Sequence, residues 1–111
     1  MTHNAGNTRP ERLQGAERDT VLAEMSAAGW VHDPERDAVT KTFRFATFNA
    51  AFGWMTRVAI EAERCDHHPD WRNVWNRVEV VLTTHDVKGL TVLDRNLALA
   101  MDRFAEAEGR A

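Results

Sequence analysis

The sequence is poor in the residue types on which several protein classes depend. One cysteine, Cys65, among 111 residues excludes an internal disulfide framework and a zinc site built from several cysteines. A single thiol fits a reducing compartment, so we expect a cytoplasmic protein. The apolar runs are only a few residues long, which excludes a predicted membrane span. Residues 1–10 also lack the apolar stretch of a secretory signal.

An excess of basic charge is missing as well. Lys and Arg number 14 against 17 Asp and Glu, for a net charge of −3. Direct binding to nucleic acid is therefore not expected, because neutralising phosphates requires a basic face. The hydrophobic fraction of 43% and the charged fraction of 28% are typical of a globular chain. We expect one domain over residues 15–106, with flexible tails at residues 1–14 and 107–111.

Hydrophobic periodicity predicts a helix and a hairpin in the first half of the chain. From Ala16 onward, apolar residues recur at helical spacing until Gly29, which is typical of a residue that ends a helix. Alternation over residues 39–45 predicts a half-buried strand. It pairs with a short extended segment at residues 30–32, across a turn that contains Pro34.

The second half is predicted to contain two helices around one long strand. Thr47 is a predicted N-cap for a helix that ends near Arg64. Alternation over residues 74–84 predicts a single strand, and Thr91 begins a last helix that frays from Asp102 onward. The apolar stripe of the middle helix consists of Phe48, Phe52, Met55, Ala59 and Ala62. This order of elements predicts the α+β class, with helices on one face of a mostly antiparallel sheet.

Three of the five histidines, His67, His68 and His85, flank the predicted long strand. Their pattern leaves three interpretations open: metal ligands, caps at a helix C-terminus, or acid–base groups that titrate near neutral pH. Adjacent histidines tend to point apart, which disfavours the metal site. A shared catalytic site requires the two histidine loops to meet. A long strand would hold them apart, unless the helix that precedes it folds back over the far end of the strand.

The residues around these histidines each have a structural alternative to a functional role. Glu63 can bond an imidazole or remain an exposed helix carboxylate. Asp94 can belong to the site or serve as the acidic third residue of a capped helix. Trp71 can line a pocket or pack in the core. Cys65 is more typical of a buried thiol than of a nucleophile.

One ordered set of motifs resembles a known family. The stretch Glu63-x-x-x-His67-His68-Pro69-x-Trp71 is followed by Thr84-His85-Asp86, Gly89-Leu90-Thr91 and Asp94. Together these motifs resemble the pterin-4a-carbinolamine dehydratase family over residues 13–104. The resemblance implies a four-stranded antiparallel sheet with helices on one side, and assembly into homodimers or homotetramers. It also implies an enzyme that needs neither metal nor cofactor.

The activity implied by the resemblance is dehydration of a 4a-hydroxytetrahydropterin to quinonoid dihydropterin, which recycles the cofactor of aromatic amino-acid hydroxylases. His67, His68 and His85 match the active-site histidines of the family. The positions implied to bind the pterin are Glu63, Pro69, Trp71, Thr84, Asp86, Val87 and Asp94. The alternative implied by the same fold is a non-catalytic, protein-binding module that acts as a dimerisation cofactor.

Overall fold

The computed structural model describes residues 10–108. Four antiparallel strands form one sheet in the order β1-β2-β4-β3, and three helices accompany it, which confirms the predicted α+β class. A short 3-10 turn, His85–Val87, follows β4. The elements are α1 Gly15–Ala27, β1 Val31–Asp33, β2 Ala38–Arg44, α2 Phe48–Cys65, β3 Asp70–Val74, β4 Arg77–Leu82 and α3 Val92–Glu108. Within the predicted tails, residues 1–9 and 109–111 lie outside the described residues.

The core lies between the helices and one face of the sheet. Strand β4 shows this division, because Val78, Val80 and Leu82 are buried while the residues between them are half-exposed. Trp54 of α2 is fully buried at the centre of the core. Its indole N–H donates to the Met101 carbonyl of α3 over 3.0 Å, which satisfies the one polar atom of the side chain.

The predicted single strand over residues 74–84 is wrong, because the chain turns back within it. Strand β3 ends at Val74, and Trp75 adopts a left-handed backbone with φ of 50°. Asn76 then fixes the turn against the end of β2, since its side-chain amide donates to the Phe45 carbonyl over 2.8 Å. Strands β3 and β4 form a hairpin with Asp70 opposite Val81. The loop before β3 and the loop after β4 consequently lie at the same end of the sheet.

The apolar stripe predicted for α2 is also corrected by the structure. The side chains that α2 buries are Ala51, Trp54, Val58 and Ala62. Phe48 and Phe52 face outward, with 49% and 54% of their surface exposed. Of the predicted stripe, Ala62 is buried and Met55 is half-buried against the core, while its other members are exposed. Apolar residues occur on both sides of this helix, so spacing alone identified the buried face only in part. The predicted cap is confirmed, because the Thr47 hydroxyl accepts a hydrogen bond from the Ala50 amide.

Both ends of the described chain pack closely. Leu13 lies within the predicted tail 1–14, yet it is buried and its amide donates to the Leu90 carbonyl over 2.8 Å. Helix α3 continues to Glu108 instead of fraying from Asp102. Asp102 itself accepts hydrogen bonds from Lys41 and from the Trp30 indole.

Over residues 10–108, none of the helices combines the length and the apolar character needed to cross a membrane.

Candidate active site

The β3–β4 hairpin brings the two histidine loops together. Asp70, the first residue of β3, pairs with Val81 near the end of β4. Continuing that register by three residues sets His67 opposite Thr84, which directly precedes His85. With one long strand, the two loops could have met only through a helix folded back over it. The hairpin achieves the same result, because antiparallel neighbours begin and end at a common edge.

A buried hydrogen-bond network joins the two loops through α3. The imidazole Nε2 of His67 lies 2.6 Å from Oδ1 of Asp94, and the Thr84 hydroxyl donates to Oδ2 of Asp94 over 2.8 Å. Thr91 adds its amide, 2.9 Å from the same Oδ2, and its hydroxyl, 2.9 Å from the Thr84 hydroxyl. His67 is 3% exposed, and the other three residues are at most 1% exposed. Buried polar groups are costly unless they are bonded in this way, so the network fixes all four side chains.

The network orients the His67 ring. A carboxylate only accepts hydrogen bonds, so the contact with Asp94 assigns a proton to Nε2 of His67. The left-handed residue Asp66, with φ of 54°, ends α2 just before it and turns the chain toward the sheet. The amide of His67 bonds back to the Ala62 carbonyl of that helix over 3.0 Å. Asp94 therefore caps α3 through the Thr91 amide, as the helix pattern predicts, and it also bonds His67.

His68 points away from its neighbour and toward solvent. Its Nε2 donates to Oε1 of Glu63 over 3.0 Å, and both side chains are more than half exposed. An exposed pair of this kind adds little to stability, because water screens it and ordering two side chains costs entropy. The imidazole is instead accessible to a small molecule, and the carboxylate beside it restrains the ring.

His85 is exposed at the start of the 3-10 turn that follows β4. The loop that carries it is closed by two backbone bonds between Thr84 and Gly89, with N–O distances of 2.9 and 3.3 Å. Asp86 and Val87 complete the same turn, the first exposed and the second half-buried.

Pro69 and Trp71 lie at the start of the hairpin. Pro69 connects His68 to β3 and is half-buried. Trp71 is on the core side of β3, where its ring lies 6.1 Å from that of Trp54, centroid to centroid. The structure thus joins His67 and Thr84 through Asp94 and joins His68 to Glu63, while Trp71 packs partly into the core.

Two residues near the site were not among the predicted site residues. Thr91 was expected as a helix cap and as part of the motif Gly89-Leu90-Thr91, but not as a site residue, and its hydroxyl belongs to the network around Asp94. Asp37 was placed in a turn, yet its buried carboxylate accepts a bond from the Leu90 amide at the end of the His85 loop. The pattern Thr91-x-x-Asp94 was a local indication of the first. The second depends on contacts between distant segments and had no local indication.

Metal-ligand geometry and thiol chemistry find no support in the described chain. Among residues 10–108, His, Cys, Asp and Glu side chains form no group of three that could hold a metal ion. Cys65 is half-buried at the end of α2, and burial raises the pKa of its thiol above the ordinary value. A raised pKa lowers the thiolate fraction on which cysteine nucleophiles depend.

Comparison with known proteins identifies relatives over most of the chain. The sequence model of the family described as Pterin 4 alpha carbinolamine dehydratase matches residues 11–104. A Jannaschia protein named "Putative pterin-4-alpha-carbinolamine dehydratase" is 53% identical over 96 residues, which cover 86% of this chain and 98% of the relative. A Rhodopseudomonas palustris protein with the same name is 54% identical over 101 residues, covering 91% and 98% respectively.

Two solved structures are similar to this fold. The crystal structure of a transcriptional coactivator/pterin dehydratase from Brucella melitensis is 41% identical, with a TM-score of 0.78 over 86% of this chain and 99% of that chain. A pterin dehydratase-like protein, described as a RuBisCO assembly factor in the alpha-carboxysome, has a TM-score of 0.61 over 74% of this chain and 92% of that chain. At 18% identity this second protein supports the fold alone.

Proposed function

Because the chain belongs to the pterin-4a-carbinolamine dehydratase family, we propose that it removes water from a 4a-hydroxytetrahydropterin to give quinonoid dihydropterin. The observation that carries the proposal is the buried network of His67, Asp94 and Thr84, which ties the loop before β3 to the loop after β4. The proposed cellular role is to recycle the pterin cofactor of aromatic amino-acid hydroxylases.

The reaction needs two proton transfers. The C4a–O bond breaks as the lone pair of N5 forms the new C4a=N5 double bond. Removal of the N5 proton then leaves the electron pair of the N5–H bond on nitrogen as its new lone pair. Hydroxide leaves poorly unless it is protonated, so an acid must donate to the oxygen while a base accepts the N5 proton. Imidazole titrates near pH ~6.5 and can do either, and each positioned acid or base is typically worth ~10²–10⁴-fold in rate.

The three histidines divide these tasks. We assign one transfer to His68 and the other to His85 or His67, with all three holding the pterin. The exposure of His85 favours it over His67, whose Nε2 is already bonded to Asp94. Glu63 and Asp94 restrain the imidazoles that they contact. The remaining proposed pterin-binding positions are Pro69, Trp71, Thr84, Asp86 and Val87.

A second candidate function is a non-catalytic, protein-binding role on the same fold. The feature that favours it is the outward face of α2. There the rings of Phe48 and Phe52 are exposed and in contact, with their centroids 5.8 Å apart. Exposed apolar patches on small proteins commonly mark contact surfaces. The same face could form the contact of the proposed homodimer or homotetramer. We also propose a cytoplasmic location for the protein.

Rapid-mixing absorbance with freshly generated 4a-hydroxytetrahydropterin separates the two candidates. The enzyme proposal expects acceleration over the spontaneous reaction that a chelator does not change. It also expects Glu63→Gln to slow turnover, since the carboxylate beside His68 is lost. Glu61→Gln, the same change two residues earlier where the partner is Arg64, is the matched control and should turn over normally. If the folded protein does not accelerate the dehydration, the enzyme proposal fails and the protein-binding role is the candidate that remains.

A further inference from the structure

Asp37 is a buried carboxylate at the junction of distant segments. It occupies the turn between β1 and β2 with a left-handed φ of 48° and is 3% exposed. Arg18 of α1 donates to both carboxylate oxygens, over 2.6 and 3.1 Å. His32 donates to Oδ1 over 2.9 Å, while Arg12 and the Leu90 amide donate to Oδ2 over 3.1 and 3.0 Å. The two oxygens of this carboxylate thus accept five donor contacts, which come from four different segments of the chain.

These contacts bracket the loop that carries His85. Before the loop, the hydroxyl of Thr83 donates to the Asp37 carbonyl over 3.0 Å. After the loop, the Leu90 amide donates to the Asp37 carboxylate. The residues on both sides of the loop 84–89 therefore bond to the same residue, Asp37, in the β1–β2 turn. The Leu90 carbonyl also accepts from Leu13, which adds the segment before α1 to the junction.

Gly89 allows this close approach. A Cβ on Gly89 would lie 2.5 Å from Oδ2 of Asp37 and 2.5 Å from Nε of Arg12. Its backbone also closes the loop through both bonds to Thr84. The loop is thus pressed directly against the carboxylate, and any larger residue at position 89 would push them apart.

The contacts of the Asp37 carboxylate favour its ionised form. Burial by itself raises the pKa of Asp37, but hydrogen bonds from Arg18 and His32, together with the Leu90 amide, lower it well below the ordinary value. The charged and titratable groups that face Asp37 are Arg12 before α1, Arg18 of α1 and His32 of β1. A permanent charge suits a fixed anchor for the Leu90 amide.

We propose that Asp37 is a positioning residue, which holds the loop 84–89 so that His85 projects into the pterin site at a fixed place. The proposal deepens the proposed function and rests on it, since it assigns the anchor of one of the three histidines. Displacing a reacting group by about 1 Å can cost on the order of 10²-fold in rate. Loss of the anchor is therefore expected to lower kcat by about 10–100-fold, with a smaller effect on KM.

A double-mutant cycle tests the proposal. Asp37→Asn keeps the shape but turns an amide N–H2 group toward donors, so either the Leu90 amide or an arginine loses its acceptor. Its effect on kcat is measured alone and in a His85→Ala background, where a residue that acts through His85 has nothing left to position. Asp102→Asn is the matched control, because Asp102 is also an ion-paired carboxylate but bonds Lys41 and Trp30, remote from the loop.

The expected result is a 10–100-fold loss of kcat in Asp37→Asn that is absent in the His85→Ala background, with Asp102→Asn near wild type. An equal loss in both backgrounds, or no loss, would overturn the proposal. If Asp37→Asn does not fold, Gly89→Ala replaces it in the same cycle. If the wild type has no dehydratase activity, the proposed function fails, and the His85 ring NMR signals decide alone. Shifted His85 ring signals in Asp37→Asn, but not in Asp102→Asn, support the positioning role of Asp37. Unchanged signals in Asp37→Asn refute that role.

Discussion

Replacing Asp94 by asparagine perturbs the centre of the proposed site without changing its volume. The carboxylate accepts from His67 through one oxygen and from Thr84 and the Thr91 amide through the other. An asparagine oxygen can still serve Thr84 and Thr91. Its N–H2 group then faces Nε2 of His67, so that two donors oppose each other unless the proton of the ring moves to Nδ1.

The magnitude follows from the one charge-assisted bond that is lost. Hydrogen bonds to charged groups contribute ~1.5–3 kcal/mol each, and a buried donor left without an acceptor costs a similar amount. We therefore expect Asp94→Asn to lower the free energy of unfolding by about 2 kcal/mol. The same chemical change at Glu79, a partly exposed partner of Arg77, should cost less than about 1 kcal/mol.

Urea unfolding of the two variants measures this difference, and nitrogen NMR of the His67 ring reports where its proton lies. The expected result is a clear loss of stability in Asp94→Asn, together with a change of the protonated ring nitrogen from Nε2 to Nδ1. Two variants of equal stability, with the His67 ring still protonated at Nε2, would refute the reasoning about the network.

Further predictions concern single groups. The pKa of Asp37 is lowered on folding, so the unfolded chain takes up its proton first as pH falls. Its contribution to stability is present above pH ~5 and is lost as pH drops below the unfolded value of 3.8; urea midpoints should therefore fall less steeply with acid in Asp37→Asn. Trp54→Phe removes the bond to Met101 and leaves a void, and should cost ~1–3 kcal/mol in thermal unfolding. Cys65 should react with iodoacetamide more slowly in the folded protein than in urea, because burial raises the pKa of its thiol.

Local chemistry explains what the sequence predicts correctly. Gly29 ends α1 with a positive φ, and Thr47 caps α2, because both depend on a few neighbouring residues. The hairpin turn at Trp75 could not be predicted in this way. A bulky residue seldom adopts a left-handed backbone such as the φ of 50° at Trp75. The turn is held locally by the Asn73 amide, which donates to the Trp75 carbonyl, and also by the contact between Asn76 and the distant Phe45.

The candidate site likewise contains residues that local motifs indicated and residues that depend on contacts between distant segments. The motif around His67 and His68, with His85 and Asp94 downstream, indicated the proposed functional residues through family resemblance. The spacing alone left Asp94 as a helix cap or a site residue, and the structure shows that it caps α3 and holds His67 at once. Asp37 could not be found from the sequence, because its role depends on donors from α1, β1 and the loop after β4.

The most direct test of the account compares the dehydration rates of the wild type, His68→Ala and His85→Ala by rapid-mixing absorbance. Circular dichroism before each run confirms that every variant is folded. We expect the wild type to accelerate the reaction and each substitution to lower turnover by ~10²–10⁴-fold. Wild-type turnover in both folded variants would contradict it, because neither imidazole would then carry a proton transfer.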